Sequence, residues 1–154
     1  MDPRSPEDAG FSTLEVAVVI AITMIVAAAS IPFVQGTLAY YRLSSAVTSA
    51  TGAIQSTRYQ AIMRGYPYQL ALDPTTNTYQ VSSDPTNSGT FSNVGSAVPF
   101  AALSDATLSA ATTLQLKANG TVQATQGALN FNLSNTGTTK TITVSGVGDV
   151  SVSP

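Results

Sequence analysis

From Val16 to Val34 the chain reads VAVVIAITMIVAAASIPFV, 19 residues without a charged side chain. Wound as an α-helix at about 1.5 Å per residue, the run is about 28 Å long, and the hydrocarbon core of a bilayer is about 30 Å thick. A buried helix of a water-soluble domain normally keeps a polar stripe, and here only Thr23 and Ser30 interrupt the apolar surface. The run therefore predicts a transmembrane helix. A cleavable secretory signal shares this hydrophobicity, and Ala27-Ala28-Ala29 offers small residues for its cleavage. Such a signal needs a basic start and a shorter apolar core. The segment before this run, MDPRSPEDAG, sets one Arg against Asp2, Glu7 and Asp8, and Glu15 stands at the mouth of the run. An ordinary signal followed by a secreted β-rich binding module remains as an alternative.

The helical pattern does not stop at Val34. Leu43, Val47, Ala50, Ile54, Thr57 and Ala61 recur at steps of three and four, with Arg42, Ser45, Gln55, Arg58 and Gln60 mainly on other faces. Arg64, Gly65 and Pro67 form a stop signal. One helix from Ser12 to Arg64 is expected, apolar all round in its first half and amphipathic in its second, with Pro32 and Gly36 as the places where it can bend. Beyond it the period changes to two. Tyr66, Tyr68, Leu70 and Leu72 alternate with other residues, Asp73 to Asn77 reads as a turn, and Tyr79 and Val81 resume the alternation. Residues 84 to 94 read as a loop, and Val98 to Leu103 as a short apolar anchor. Leu114, Leu116 and Val122 flank the turn dipeptide Asn119-Gly120; Leu129, Phe131 and Leu133 precede a turn at Asn135 to Gly137, and Ile142 and Val144 follow it. The fold class is α+β, a long helix packed on antiparallel sheet.

Composition removes most catalytic chemistry. With no Cys and no His, the chain offers no disulfide, no thiolate or imidazole metal ligand, no Cys nucleophile and no imidazole base. Charged residues are only 9%, against about 25% in an average domain. The formal net charge is -2, and no basic patch suits phosphate. No enzyme, cofactor or nucleic-acid partner is expected.

The junction before the apolar run carries a family likeness. Gly10-Phe11-Ser12-Thr13-Leu14-Glu15 followed by VAVVIAI resembles the processing site of type IV pilins and type II secretion pseudopilins. The resemblance implies that a prepilin peptidase cuts between Gly10 and Phe11 and methylates Phe11. It implies that Glu15 neutralises the new amino terminus of its own or a neighbouring subunit during assembly, and that Pro32 bends the helix. From the residues alone, Ser12 and Glu15 also fit a capping box, the Ser12 hydroxyl accepting from the Glu15 N–H and the carboxylate reaching back to Ser12. Residues 53 to 73, AIQSTRYQAIMRGYPYQLALD, are similar to the GspH/FimT group of minor pseudopilins through Arg58, Ala61, Ile62, Arg64 and Gly65. The segments LQLKANGTVQA and TKTITVSGVGDVSV resemble that group's late strands. Arg58 and Arg64 read equally well as solvated side chains near a helix C-terminus.

The family likeness divides the chain into a leader at 1–10, a transmembrane and assembly half-helix at 11–35, an amphipathic half-helix at 36–65 and a β-rich part at 66–154. It implies a structural subunit of a type II secretion or type IV pilus filament, held single-pass in the inner membrane with its C-terminal domain in the periplasm until extraction into a periplasmic or extracellular filament. Its partners would be other pilin or pseudopilin subunits, the peptidase, an inner-membrane assembly platform and the lipid bilayer. A major pilin of a thin filament is the alternative within the family. Some members end in a basic segment that contacts DNA, and this chain has Gly146-Val147-Gly148-Asp149 there, so no DNA site is expected. Asp73, Asp84, Asp105 and Asp149 are too scattered for calcium, and no metal site is expected.

Overall fold

A computed structural model of the chain describes residues 12–100 and 106–154. The chain divides after Thr37 into two compact units, Met1–Thr37 and Leu38–Pro154. Helix α1 runs unbroken over Thr13–Arg64, one residue short of the expected start because Ser12 is its cap. It ends where the stop signal stands: Gly65 takes φ 76, a left-handed conformation open to glycine, and its N–H bonds to Ala61 O at 3.0 Å.

Ten strands follow. They are β1 (Tyr68–Asp73), β2 (Thr78–Ser83), β3 (Ser92–Asn93), β4 (Val98–Pro99), β5 (Thr107–Leu108), β6 (Thr112–Leu116), β7 (Val122–Gln126), β8 (Asn130–Asn135), β9 (Thr138–Val144) and β10 (Val150–Ser153). Every pairing is antiparallel. One sheet has the order β3-β2-β1-β6-β7 with β4 also on β2, and the other has the order β10-β9-β8-β5. Side chains of period two point into a shared core. Leu70 lies opposite Leu114, Tyr68 opposite Leu116, and Phe131 opposite Ile142, all buried.

The amphipathic half of α1 supplies the matching surface. Leu43, Val47, Ala50, Ile54, Thr57 and Ala61 are all buried, as their spacing predicts, and Ala46 and Ala53 join them. Burying a Leu, Val or Ile side chain contributes about 1.5–3 kcal/mol, while the alanines add little area. Thr57 returns its hydroxyl proton to Ala53 O at 2.7 Å, so its burial leaves no unmet donor.

Asn119-Gly120 turns the chain, as expected. Gly120 N–H bonds to Lys117 O, Lys117 N–H bonds to Thr121 O, and only Gly120 has positive φ, which is a type I turn closed by a left-handed glycine. The expected loop at 84–94 contains β3, because Val94 N–H reaches Val81 O and holds the segment along the sheet edge. Of the expected anchor at Val98 to Leu103, Val98 and Pro99 form β4 and Phe100 is buried, while 101–103 lie outside the described residues. Strand β5 has no counterpart in the sequence reading; two residues are too few to show a period.

The β8–β9 hairpin turns through Thr136 at φ 45 and Gly137 at φ 82. A β-branched residue in the left-handed region costs roughly 1–2 kcal/mol, and the Thr136 side chain is exposed and contributes no core packing in return. Thr136→Gly should therefore raise unfolding stability by about 1 kcal/mol in chemical denaturation, net of the unfolded-state entropy that glycine adds. A loss of stability would show that the turn is not strained at this residue.

Candidate functional site

The site expected from the sequence lies at the start of α1. Gly10 and Phe11 are outside the described residues. Ser12 caps the helix: its carbonyl accepts from Glu15 N–H at 3.0 Å and Val16 N–H at 3.1 Å, and its hydroxyl accepts from Leu14 N–H at 3.4 Å. The expected capping box does not form. The hydroxyl serves Leu14 rather than Glu15, and among the described residues the Glu15 carboxylate has no hydrogen-bond or ion-pair partner. Glu15 is exposed in the first turn, where the helix dipole favours an anion.

Behind Glu15 the helix is long and apolar enough to cross a membrane, and none of its most apolar window is buried in the protein. Met24, Ile25 and Phe33 are among its most exposed side chains. Hydroxyls on such a surface must be satisfied within the helix, since lipid offers no partner. Thr23 donates to Val19 O at 2.7 Å and Ser30 to Val26 O at 2.9 Å, so both polar side chains of the Val16–Val34 run close on their own backbone. The helix continues through Pro32 and Gly36. Pro32 has no N–H to give to Ala28 O, and a side chain placed at Gly36 would meet nothing within 4 Å.

Arg58 corrects the reading of a solvated side chain. It is half-buried; its Nε donates to Gly120 O at 2.9 Å and its Nη2 to Val147 O at 2.8 Å. One guanidinium on α1 thereby ties together the β6–β7 turn and the β9–β10 turn. Gly148, at φ 83, lies so close that an added Cβ would overlap the Arg58 side chain, and at Gly120 a Cβ would stand 3.3 Å from Ile62. Arg64 is exposed, as the solvated reading has it. A second tie runs from the buried Asn135, whose Nδ2 donates to Ala39 O at 3.3 Å.

Asp84 is the one buried carboxylate among the described residues. Its two oxygens accept from Gly89 N–H at 2.7 Å, Ser88 N–H at 3.1 Å and the hydroxyls of Thr86 and Ser88. Burial acts to raise its pKa. The bonds from Gly89, Ser88 and Thr86 outweigh that and hold the carboxyl below its ordinary value. Both oxygens serve its own loop, which makes it a structural anchor. Between α1 and β2 lies an open groove of about 690 Å³ lined by Ser45, Ser49, Gly52, Ser56, Tyr79 and Val81 among others.

Residues 46–148 match the family described as type II transport protein GspH. No curated protein and no solved structure matches the chain. The matched span begins within the buried face of α1 and ends at the glycine packed on Arg58. It takes in the Arg58 ties and the Asp84 loop, and leaves the apolar half of the helix outside.

Two expectations follow from these geometries. Gly148→Ala forces a side chain into the left-handed region and displaces Arg58 from its carbonyls, which should cost about 2–4 kcal/mol of unfolding stability. Gly146→Ala, where the nearest atom to a new Cβ is 3.9 Å away, is the control and should cost under about 1 kcal/mol. Equal effects would mean that Arg58 is not held there. Because the native pKa of Asp84 is depressed, its contribution to stability is complete above the unfolded value of about 3.9 and is lost as pH falls through the native value. Thermal melts should therefore decline in acid below about pH 4, and Asp84→Asn should lower Tm at neutral pH while flattening that acid limb.

Proposed function

The chain belongs to the type II transport protein GspH family, and from that membership we propose that it is a structural minor pseudopilin or pilin, held in the inner membrane by α1 until drawn into a filament. The observation that carries this reading is the division of one helix between two surroundings. Its second half is buried on the sheets within the matched span, and its first half is apolar on every side with a lone carboxylate at its mouth. A structural subunit needs no catalytic group. Its work is to insert, to be cut, and to pack.

On this reading residues 1–10 are a leader, and prepilin peptidase cuts between Gly10 and Phe11 and methylates the new terminus. Residues 11–35 are first anchor and then packing surface, residues 36–65 carry the globular part, and residues 66–154 lie in the periplasm or along the filament. Ala27, Ala28, Ala29 and Ser30 allow neighbouring helices to approach closely. Pro32 and Gly36 are where the helix yields as it passes from lipid to filament. Glu15 pairs with the α-amino cation of Phe11, its own or a neighbour's. Leaving that cation unpaired inside an apolar bundle costs on the order of 3–5 kcal/mol.

Mass spectrometry of the mature N-terminus is the direct test, and a methylated Phe11 is the expected result. A terminus near Ile31 would instead mark an ordinary exported protein. Glu15→Gln should leave membrane insertion unchanged and reduce incorporation into filaments by about a hundredfold or more, measured by immunoblot of sheared filaments. Normal incorporation of that variant would remove the assembly role.

A further inference from the structure

Among the described residues, one edge of the sheet β10-β9-β8-β5 is the four-residue strand β10. Exposed edges are usually blunted by charge, by proline, by a bulge or by a very short strand. In the other sheet, β2 is covered by the two-residue strands β3 and β4, the latter containing Pro99, and the β6–β7 pair is bulged between Thr113 and Leu114. Strand β10 is Val-Ser-Val-Ser, without charge, proline or bulge, and among the described residues it has a strand neighbour on one side only.

The open side carries unmet hydrogen-bonding groups and an unfinished core. Val144 N–H is bonded to Leu129 O, away from β10, and Val150 is the residue paired with Val144. By the alternation of an antiparallel ladder, Ser151 and Ser153 then bond inward to β9, while the N–H and C=O of Val150 and Val152 point outward to the edge. Their side chains share the core face. Along one row across the sheet, exposure runs from 3% at Phe131 and 0% at Ile142 to 45% at Val152. At the end of this edge is a groove of about 390 Å³ lined by Val152, Thr138, Tyr40 and Lys140 among others. The Lys140 ammonium stands 5.0 Å from the centre of the Tyr40 ring, and among the described residues it has no acidic partner.

We infer that the outer edge of β10 is a strand-addition site for an extended segment of a neighbouring, different pilin-like subunit. The segment places an apolar side chain beside Val152 and a carboxylate at Lys140. The hydrogen-bond demand of the edge calls for an extended backbone, the bare Val152 calls for apolar cover, and the unpaired ammonium over an aromatic ring calls for an acid. This inference rests on the reading of the chain as a filament subunit and names which surface makes a lateral contact.

Photo-crosslinking of the full chain, expressed with its assembly machinery, tests it. The crosslinking residue p-benzoylphenylalanine replaces Ser151, whose side chain is exposed on the outer face of β10, and in control chains replaces Gln123 on β7 or Val19 in the apolar helix. An adduct with another pilin-like subunit is expected at Ser151, about tenfold above Gln123, the ratio that one or two backbone hydrogen bonds confer. Val152→Pro removes an outward N–H without touching the β9 ladder, a place where an edge strand tolerates proline. It should reduce the adduct about tenfold at unchanged Tm. Val152→Lys keeps the N–H but charges the edge, and should do the same. No adduct at Ser151 while Val19 captures other subunits overturns the edge site and leaves the filament reading intact. An adduct of two copies of this chain, or one that persists in both folded variants, also overturns it. Failure of Ser151 and Val19 alike removes the filament reading and this site with it.

Discussion

The face of α1 formed by Leu43, Ala46, Val47, Ala50, Ala53, Ile54, Thr57 and Ala61 is the surface on which both sheets close. Half of those eight side chains are alanine, and that choice sets the geometry. A methyl group lets strand side chains such as Leu70, Leu114 and Leu133 occupy the space beside the helix, so the larger apolar volume comes from the sheets. Ala50 and Ala61 are fully buried, so a leucine at either would have to displace its neighbours. The helix is therefore a fixed post with the sheets fitted to it. The stretch of α1 upstream has no such face: it is apolar on every side, and none of its most apolar window is buried.

In a chain so poor in charge, Arg58 and Asp84 act as hydrogen-bond hubs. Arg58 spends its donors on the carbonyls of Gly120 and Val147, and Asp84 spends its acceptors on the N–H groups of Ser88 and Gly89. Both arrangements join a charged side chain to backbone that would otherwise lack partners at a turn, where the ladder of a sheet has ended. An ion pair in the same places would tie one side chain to another and leave the turns loose. The glycines at 120 and 148 belong to the same device, since a planar guanidinium reaches two carbonyls only where no Cβ stands in the way.

The elements were legible where a period was long enough to show. Six positions named from spacing on the amphipathic helix are all buried, and Leu70, Leu72, Leu114, Leu116, Phe131, Leu133, Ile142 and Val144 fill the core as their alternation requires. Strand β5 and the edge strand β3 are not legible, because each is two residues long, too short to show a period, and β5 is moreover paired with the distant β8. Arg58 stands in the family pattern, but its role is not legible because its partners Gly120 and Val147 lie 62 and 89 residues away. Two glycines with positive φ in separate turns were the available trace of that contact, and nothing in a linear pattern says that both turns meet one helix. Asp84 followed by Pro85, Thr86, Asn87, Ser88 and Gly89 signals a turn, though not that the carboxylate would be buried in it.

Glu15 is the residue on which the proposed role turns, and magnitudes separate the two accounts of it. A carboxylate in the first turn gains roughly 0.3–1 kcal/mol from the helix dipole in water, and salt weakens that gain. Carried into hydrocarbon, an ionised side chain costs about 2.5–3.5 kcal/mol. The dipole alone thus falls short once the helix mouth leaves water. A full capping box would narrow the gap, but the Ser12 hydroxyl is bonded to Leu14 and the Glu15 carboxylate has no partner among the described residues. What closes the difference is a cation of opposite sign within a few ångströms. Arg42 is the first basic residue after Glu15, more than seven helical turns further along α1 at about 3.6 residues per turn, too far to serve within one chain. An amine exposed by cleavage at Gly10, or presented by the next subunit, satisfies the requirement, and this supports reading the acid as an assembly residue.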